Sequence, residues 1–231
     1  GWFAKGNINI FSSKLEMKYY HAKCFLQDRE KNIWMGSEIG LGRYMGELFR
    51  LYNQNDGLRS NLAWSILEDS EKNLWVGTSD GVTRFSFPLI NEKKQYHSPL
   101  IKTYTITDGL PENIINSLFE DKQGNIWMGT ENSGAAVLLK ASGKIAVYST
   151  AQGISDNKIF SIADDTEGNI WLGTRKGTCR IHLISPKLQA PSYKPQGRSK
   201  KGNQQSTINN QQSTIPLAEI KCFSTTDGLG G

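Results

Sequence analysis

"GNIWMGTENSG" occupies residues 124–134, and nearly the same words stand at 31–40 ("KNIWMGSEIG"), 72–81 ("KNLWVGTSDG") and 168–177 ("GNIWLGTRKG"). A motif used once can be a site. A motif used four times along one chain is architecture. Its anchors Trp34, Trp75, Trp127 and Trp171 are spaced 41, 52 and 44 residues apart. An acidic residue lies six positions before each Trp (Asp28, Asp69, Asp121, Asp165), and a glycine lies two after it (Gly36, Gly77, Gly129, Gly173). A second mark, Gly57-Leu58, Gly109-Leu110 and Gly153-Ile154, precedes the last three Trp residues by eighteen positions.

Each piece of the unit has a physical reading. "SILED" and "NLWVGT" are short runs of β-formers split by the polar turn "SEK", the signal for a hairpin. Alternation in "NIWMGT" sends Ile126 and Met128 to one face and Trp127 and Gly129 to the other. Both faces are apolar, so the strand is covered on both sides. A third strand follows ("GVTRFSF", "AAVLLK", "GTCRIHL") and a fourth closes the unit ("IKTYTIT", "KIAVYST", "IKCFSTT"). Four antiparallel strands in a unit of about 45 residues, with an aromatic and a glycine mark in each, spell an all-β fold of propeller blades. A single large sandwich would not need the same Trp in every unit.

The string "DGLPENIINSLFEDKQGNIWMGTENSG" resembles the two-component regulator propeller repeat. The resemblance runs over about residues 20–185 and resumes at 218–229 ("IKCFSTTDGLG"). It implies a periplasmic sensor region of hybrid two-component sensor histidine kinases of the Bacteroidetes type. It also implies about seven blades in a ring, followed by an immunoglobulin-like domain, a membrane helix and a kinase, none of which is in this sequence. The expected ligand is an oligosaccharide or another small molecule.

The expected division is a stub of a preceding blade at 1–15, with Trp2 near the anchor place, and blade one at 16–55. Blade two follows at 56–107 with an insertion at 87–98, then blade three at 108–151. Blade four takes 152–226 with an insertion at 186–217, and 227–231 begins another unit. An open arc of this kind leaves an apolar face at each end, and such faces drive self-association. The longer insertion repeats "NQQSTI" and is poor in aliphatic residues, a composition that does not build a core.

The net charge of +5 points toward nucleic acid until it is located. Residues 186–217 hold Lys187, Lys194, Arg198, Lys200 and Lys201 and no acid, and without them the chain is neutral. Nucleic acid is not an expected partner. No apolar run approaches the roughly 20 residues that cross a bilayer. Of the three cysteines, Cys24 stands where other units have Ser65, Ser117 and Ser161, Cys179 where one has Thr83, and Cys222 where one has Thr103. Each reads as a small strand residue, in a different repeat, and a disulfide or metal role is not expected.

Catalysis is not expected either. Glu68-Asp69, Glu120-Asp121 and Asp164-Asp165 suggest a carboxylate pair, but strand neighbours point to opposite faces, and an Asp at a hairpin entrance serves the turn. "DKQGNIW" is similar to the Asp-box turn of sialidases, itself structural, and no cluster of arginines with a Tyr nucleophile accompanies it. His21, His97 and His182 share no ligand spacing, so neither metal nor cofactor is implied. A scaffold for protein partners and a fragment of a propeller glycosidase or lyase are the alternative readings. What varies between units is the loops after "GT" and "GL", which alternation of strand direction brings to one rim. Arg59, Glu112, Glu131, Asn132, Arg175 and Lys176 are the binding candidates there, because binding residues favour loops on a rigid scaffold.

Overall fold

A computed structural model describes residues 2–4, 7–9, 21–44, 49–87, 99–184 and 218–224. The 1–15 stub is therefore described only in part, and the insertions at 87–98 and 186–217 lie outside these residues, apart from Phe87. Two short strands, β1 (Trp2–Ala4) and β2 (Asn7–Asn9), form an antiparallel hairpin. Four antiparallel four-stranded sheets follow, each a meander of consecutive strands. Blade one is β3 (Ala22–Gln27), β4 (Ile33–Ser37), β5 (Leu41–Tyr44) and β6 (Phe49–Tyr52). Blade two is β7 (Ala63–Glu68), β8 (Leu74–Thr78), β9 (Gly81–Ser86) and β10 (Leu100–Tyr104). Blade three is β11 (Ile115–Glu120), β12 (Ile126–Thr130), β13 (Ala135–Leu138) and β14 (Ile145–Tyr148). Blade four is β15 (Ile159–Asp164), β16 (Ile170–Thr174), β17 (Gly177–Leu183) and β18 (Ala218–Phe223). The sheets form a partial β-propeller, with β3, β7, β11 and β15 side by side on its inner wall.

Alternation along the second strand builds the core between blades. Ile126 and Met128 face back into the cluster shared with blade two, where Trp75 and Tyr104 lie. Trp127 faces forward against Ile159, Ile170 and Leu172 of blade four. The glycine two residues on makes room for the next blade. A Cβ on Gly129 would lie 2.7 Å from Ile159 Cγ2, and one on Gly77 2.9 Å from Ile115 Cγ2. At Gly173 the same test meets only Ser161 of its own blade.

The acid six residues before each Trp is a turn residue, and it does more than the sequence suggests. Asp121 Oδ1 accepts the backbone N–H groups of Gln123 (2.9 Å) and Asn125 (2.9 Å), while Oδ2 accepts Asn125 Nδ2 (2.9 Å) and the indole Nε1 of Trp127 (2.8 Å). Asp28, Asp69 and Asp165 likewise bind the indole N–H of their own blades at 2.7–2.8 Å. In Asp165 the hydrogen bonds from Asn169 and Trp171 hold the carboxyl well below the usual carboxylate range. The adjacent Glu does not join it in a dyad. Glu120 reaches back to accept the N–H (2.6 Å) and Oγ (2.6 Å) of Ser70, tying blade three to the turn of blade two, and Glu68 accepts Arg29 N (2.9 Å) in the same way.

Between blades the chain crosses through a 3-10 turn with a capping box, as at Thr105–Asp108. Gly109 ends that turn at φ 105°, a conformation that disfavours a side chain. Leu58, Leu110 and Ile154, the residues after these glycines, are buried in the clusters between blades.

The cysteines require a correction. Cys179 and Cys222 are not in separate units: they are direct partners across β17 and β18 and form a disulfide. Their counterparts Thr83 and Thr103 are cross-strand partners in blade two, so the alignment already carried the pairing. Cys24 stays a thiol, and burial pushes its pKa up to about 11.

Candidate functional site

The variable loops do meet on one rim. Within blade two, Arg59 Nη2 contacts Asp80 Oδ2 at 2.5 Å and Ser60 Oγ lies 2.8 Å from Ser79 Oγ. In blade three Glu112 accepts Asn132 N at 2.7 Å and Asn132 Nδ2 at 3.3 Å. Glu131 reaches the next blade, pairing with Lys158 and accepting Asn116 Nδ2 at 2.7 Å. Lys158 and then Asn116 hold the Glu131 carboxyl below its ordinary value. Arg175 (3.2 Å) and Lys176 (3.9 Å) both approach Asp156 Oδ2. The backbone N–H of Lys158, ahead of Arg175, keeps that carboxyl low. Of the six residues expected on the rim, Glu112 and Asn132 therefore meet, Arg175 and Lys176 share one partner, and Arg59 is paired apart in blade two. Part of the loops is structural: Asn61, Asn113 and Asn157 each accept the first N–H of the preceding 3-10 turn.

A second set of residues, not anticipated from the sequence, lies on the inner wall beside this rim. Each inner strand slips register by one residue, between Ala22 and Cys24, Ala63 and Ser65, Ile115 and Ser117, and Ile159 and Ser161. A bulge of this kind re-aims the unpaired side chain. The bulged residues are Lys23, Trp64, Asn116 and Phe160. Lys23 Nζ pairs with Glu38 at 2.7 Å and stands 5.3 Å from the centre of the Trp64 ring. That pairing, with His21 behind it, lowers the Glu38 pKa. Asn116 and Lys158 both reach Glu131, and Lys158 Nζ stands 5.4 Å from the Phe160 ring. Trp64 Nε1 is buried without a hydrogen-bond partner, and Phe160 is 53% exposed. The bulged residues and the loop carboxylates thus form two clusters of cations, carboxylates and rings, one over blades one and two and one over blades three and four. Its signal in the sequence is the one position of the strand motif that changes class every time, between an Ala or Ile and a Ser or Cys.

Among the described residues no group of three His, Cys, Asp or Glu side chains could hold a metal ion, and no helix is long and apolar enough to cross a membrane. A cavity of about 350 Å³ opens between blades one and two on the side of the Asp turns, floored by Trp34, Leu74 and Phe87 and edged by Glu30, Glu68 and Lys72.

The model of the "Two component regulator propeller" family matches residues 57–80, 109–132 and 153–176, each running from the Gly of the 3-10 turn through the Trp strand. No curated protein matches the sequence. Among solved structures, the extracellular domain assigned to hybrid two component system BT3049 of B. thetaiotaomicron is similar, with 24% identity and a TM-score of 0.57 over 70% of this chain and 21% of that one. The corresponding domain of BT4673 from the same organism has 17% identity and a TM-score of 0.59 over 89% of this chain and 24% of that one. Virginiamycin B lyase from Staphylococcus aureus shares 14% identity and a TM-score of 0.53 over 70% of this chain and 52% of that one. At these identities the likeness is one of fold, and the chain spans about a fifth to a quarter of the length of the two Bacteroides domains. Three stretches of the chain thus match the repeat of the two component regulator propeller family.

Proposed function

We propose that the chain is part of the ligand-sensing propeller of a hybrid two component sensor, working outside the cytoplasm and passing its signal to a kinase elsewhere in a longer protein. The observation that carries the reading is the bulge series. Four blades keep turn, Trp and Gly fixed, yet one inner-wall position reads Lys23, Trp64, Asn116 and Phe160. A scaffold that holds its turns, Trp and Gly fixed while changing what faces one region suits recognition. The Cys179–Cys222 disulfide supports an oxidising compartment, since such bonds persist outside the reducing cytoplasm.

The ligand we assign to the wall is an oligosaccharide. Trp64 and Phe160 offer ring faces to the C–H surface of a sugar. Asn116, Glu131 and Lys23 offer donors and acceptors to hydroxyls, with Glu112, Asn132 and Arg175 flanking them. The similarity to a lyase is one of fold alone and adds no catalytic reading.

Titration with a panel of neutral oligosaccharides, followed by tryptophan fluorescence and calorimetry, tests this. We expect one member to bind and Trp64→Ala to weaken it by about ten-fold or more, the worth of a lost stacking face, with an unchanged melting transition. Binding untouched by Trp64→Ala removes the wall as the site. Absence of binding across the panel removes the oligosaccharide.

A further inference from the structure

One row of cross-strand partners runs across the forward face of every blade, beginning with the Trp strand. In blade one it reads Trp34, Arg43, Arg50; in blade two Trp75, Arg84, Lys102; in blade four Trp171, Arg180, Lys221. Three blades thus set two cations directly opposite each other, an arrangement that destabilises a sheet unless something offsets it. Blade three shows that the fold does not need them: its row is Trp127, Val137, Ala146, and both small residues are buried beneath blade four.

Blade two gives the clearest case. Arg84 lies 5.6 Å from the Trp75 ring and Lys102 Nζ 4.9 Å from the Tyr104 ring, and the two rings stack at 5.5 Å. The rings hold the cations in place but neutralise neither. Among the described residues no carboxylate pairs with either side chain, whereas Lys140 and Lys122 have found acids. Arg84 Nε is buried without a hydrogen-bond partner, while Lys102 is exposed on the outer strand.

We propose that the Arg84–Lys102 pair is an oxyanion site that takes a phosphate, sulfate or carboxylate group at the outer edge of the propeller. A guanidinium offers a fork of donors and an ammonium a point charge, and an oxyanion between them relieves the repulsion that the row otherwise carries. The site lies on the outer strands and is separate from the inner wall, so it stands or falls independently of the oligosaccharide reading.

The test uses the whole chain, with inorganic phosphate and sulfated dextran fragments as probes, titrated calorimetrically at constant ionic strength. Arg84→Val with Lys102→Ala copies the pair that blade three already uses, and Lys102→Glu replaces the repulsion by an internal ion pair at an exposed position. If the first variant fails to fold, the second decides. Phosphate binding that both variants weaken by about ten-fold or more supports the site and shows that a free oxyanion suffices. Binding of dextran sulfate alone, lost in the same variants, supports an oxyanion carried on a polymer. If neither probe binds, or if binding survives both substitutions, the cations are only packed against their rings and the proposal fails.

Discussion

The residue that says most about assembly is the glycine after each Trp. Gly129 touches the next blade and Gly173 does not, although their sequence contexts are almost identical. Gly129→Ala should therefore cost about 2 kcal/mol through overpacking against Ile159, and Gly173→Ala clearly less, as read from urea unfolding midpoints. Equal losses would mean that the glycines serve the strand rather than the joint between blades. At this scale the sequence was readable wherever it repeated. The glycines, the Trp anchors and the Asp turns all appear as constants, and the structure gives each a contact. Lys23, Trp64, Asn116 and Phe160 escaped because a bulge is a backbone event. A period-two reading assigns such residues to a face without showing that the register slips beside them. Sequence could not tell that Arg59, Glu131 and Arg175 each already hold a partner, since the partners lie 19 to 27 residues away.

Among the elements, β17 and β18 are the pair joined by a covalent bond. A closed loop of 43 residues removes about 4 kcal/mol of unfolded-state entropy in the simple chain model. Reduction should lower the unfolding free energy by roughly that amount, measured by urea denaturation with and without reductant. Thiol labelling gives an independent check. In denaturant the unreduced protein should expose Cys24 alone, and the reduced protein all three cysteines. Three labelled thiols without reductant would remove the bond. The blades themselves were legible as four-stranded antiparallel units because turn signals recur in each. The disulfide was not, because counting cysteines and comparing them unit by unit obscures that two positions of one unit can be each other's neighbours in the sheet.

At the scale of the whole molecule, the two ends of the arc differ from its middle. Phe25, whose counterparts Ile66, Leu118 and Ile162 pack between blades, is 66% exposed, and Trp171 is less deeply buried than Trp127. The isolated chain should self-associate with rising concentration in sedimentation or small-angle scattering; a monodisperse monomer throughout would show that these faces are stable in water. The internal blades gain nothing from that association, so its effect on stability should appear at the two ends first. The crosslink at the base of the fourth blade has another consequence. It makes the stretch between β17 and β18 a detour rather than a link in the main path. A protease that cut that stretch would leave one molecule on a non-reducing gel and two pieces on a reducing one. The blade could then tolerate lengthening, sequence drift or breakage there without losing its outer strand.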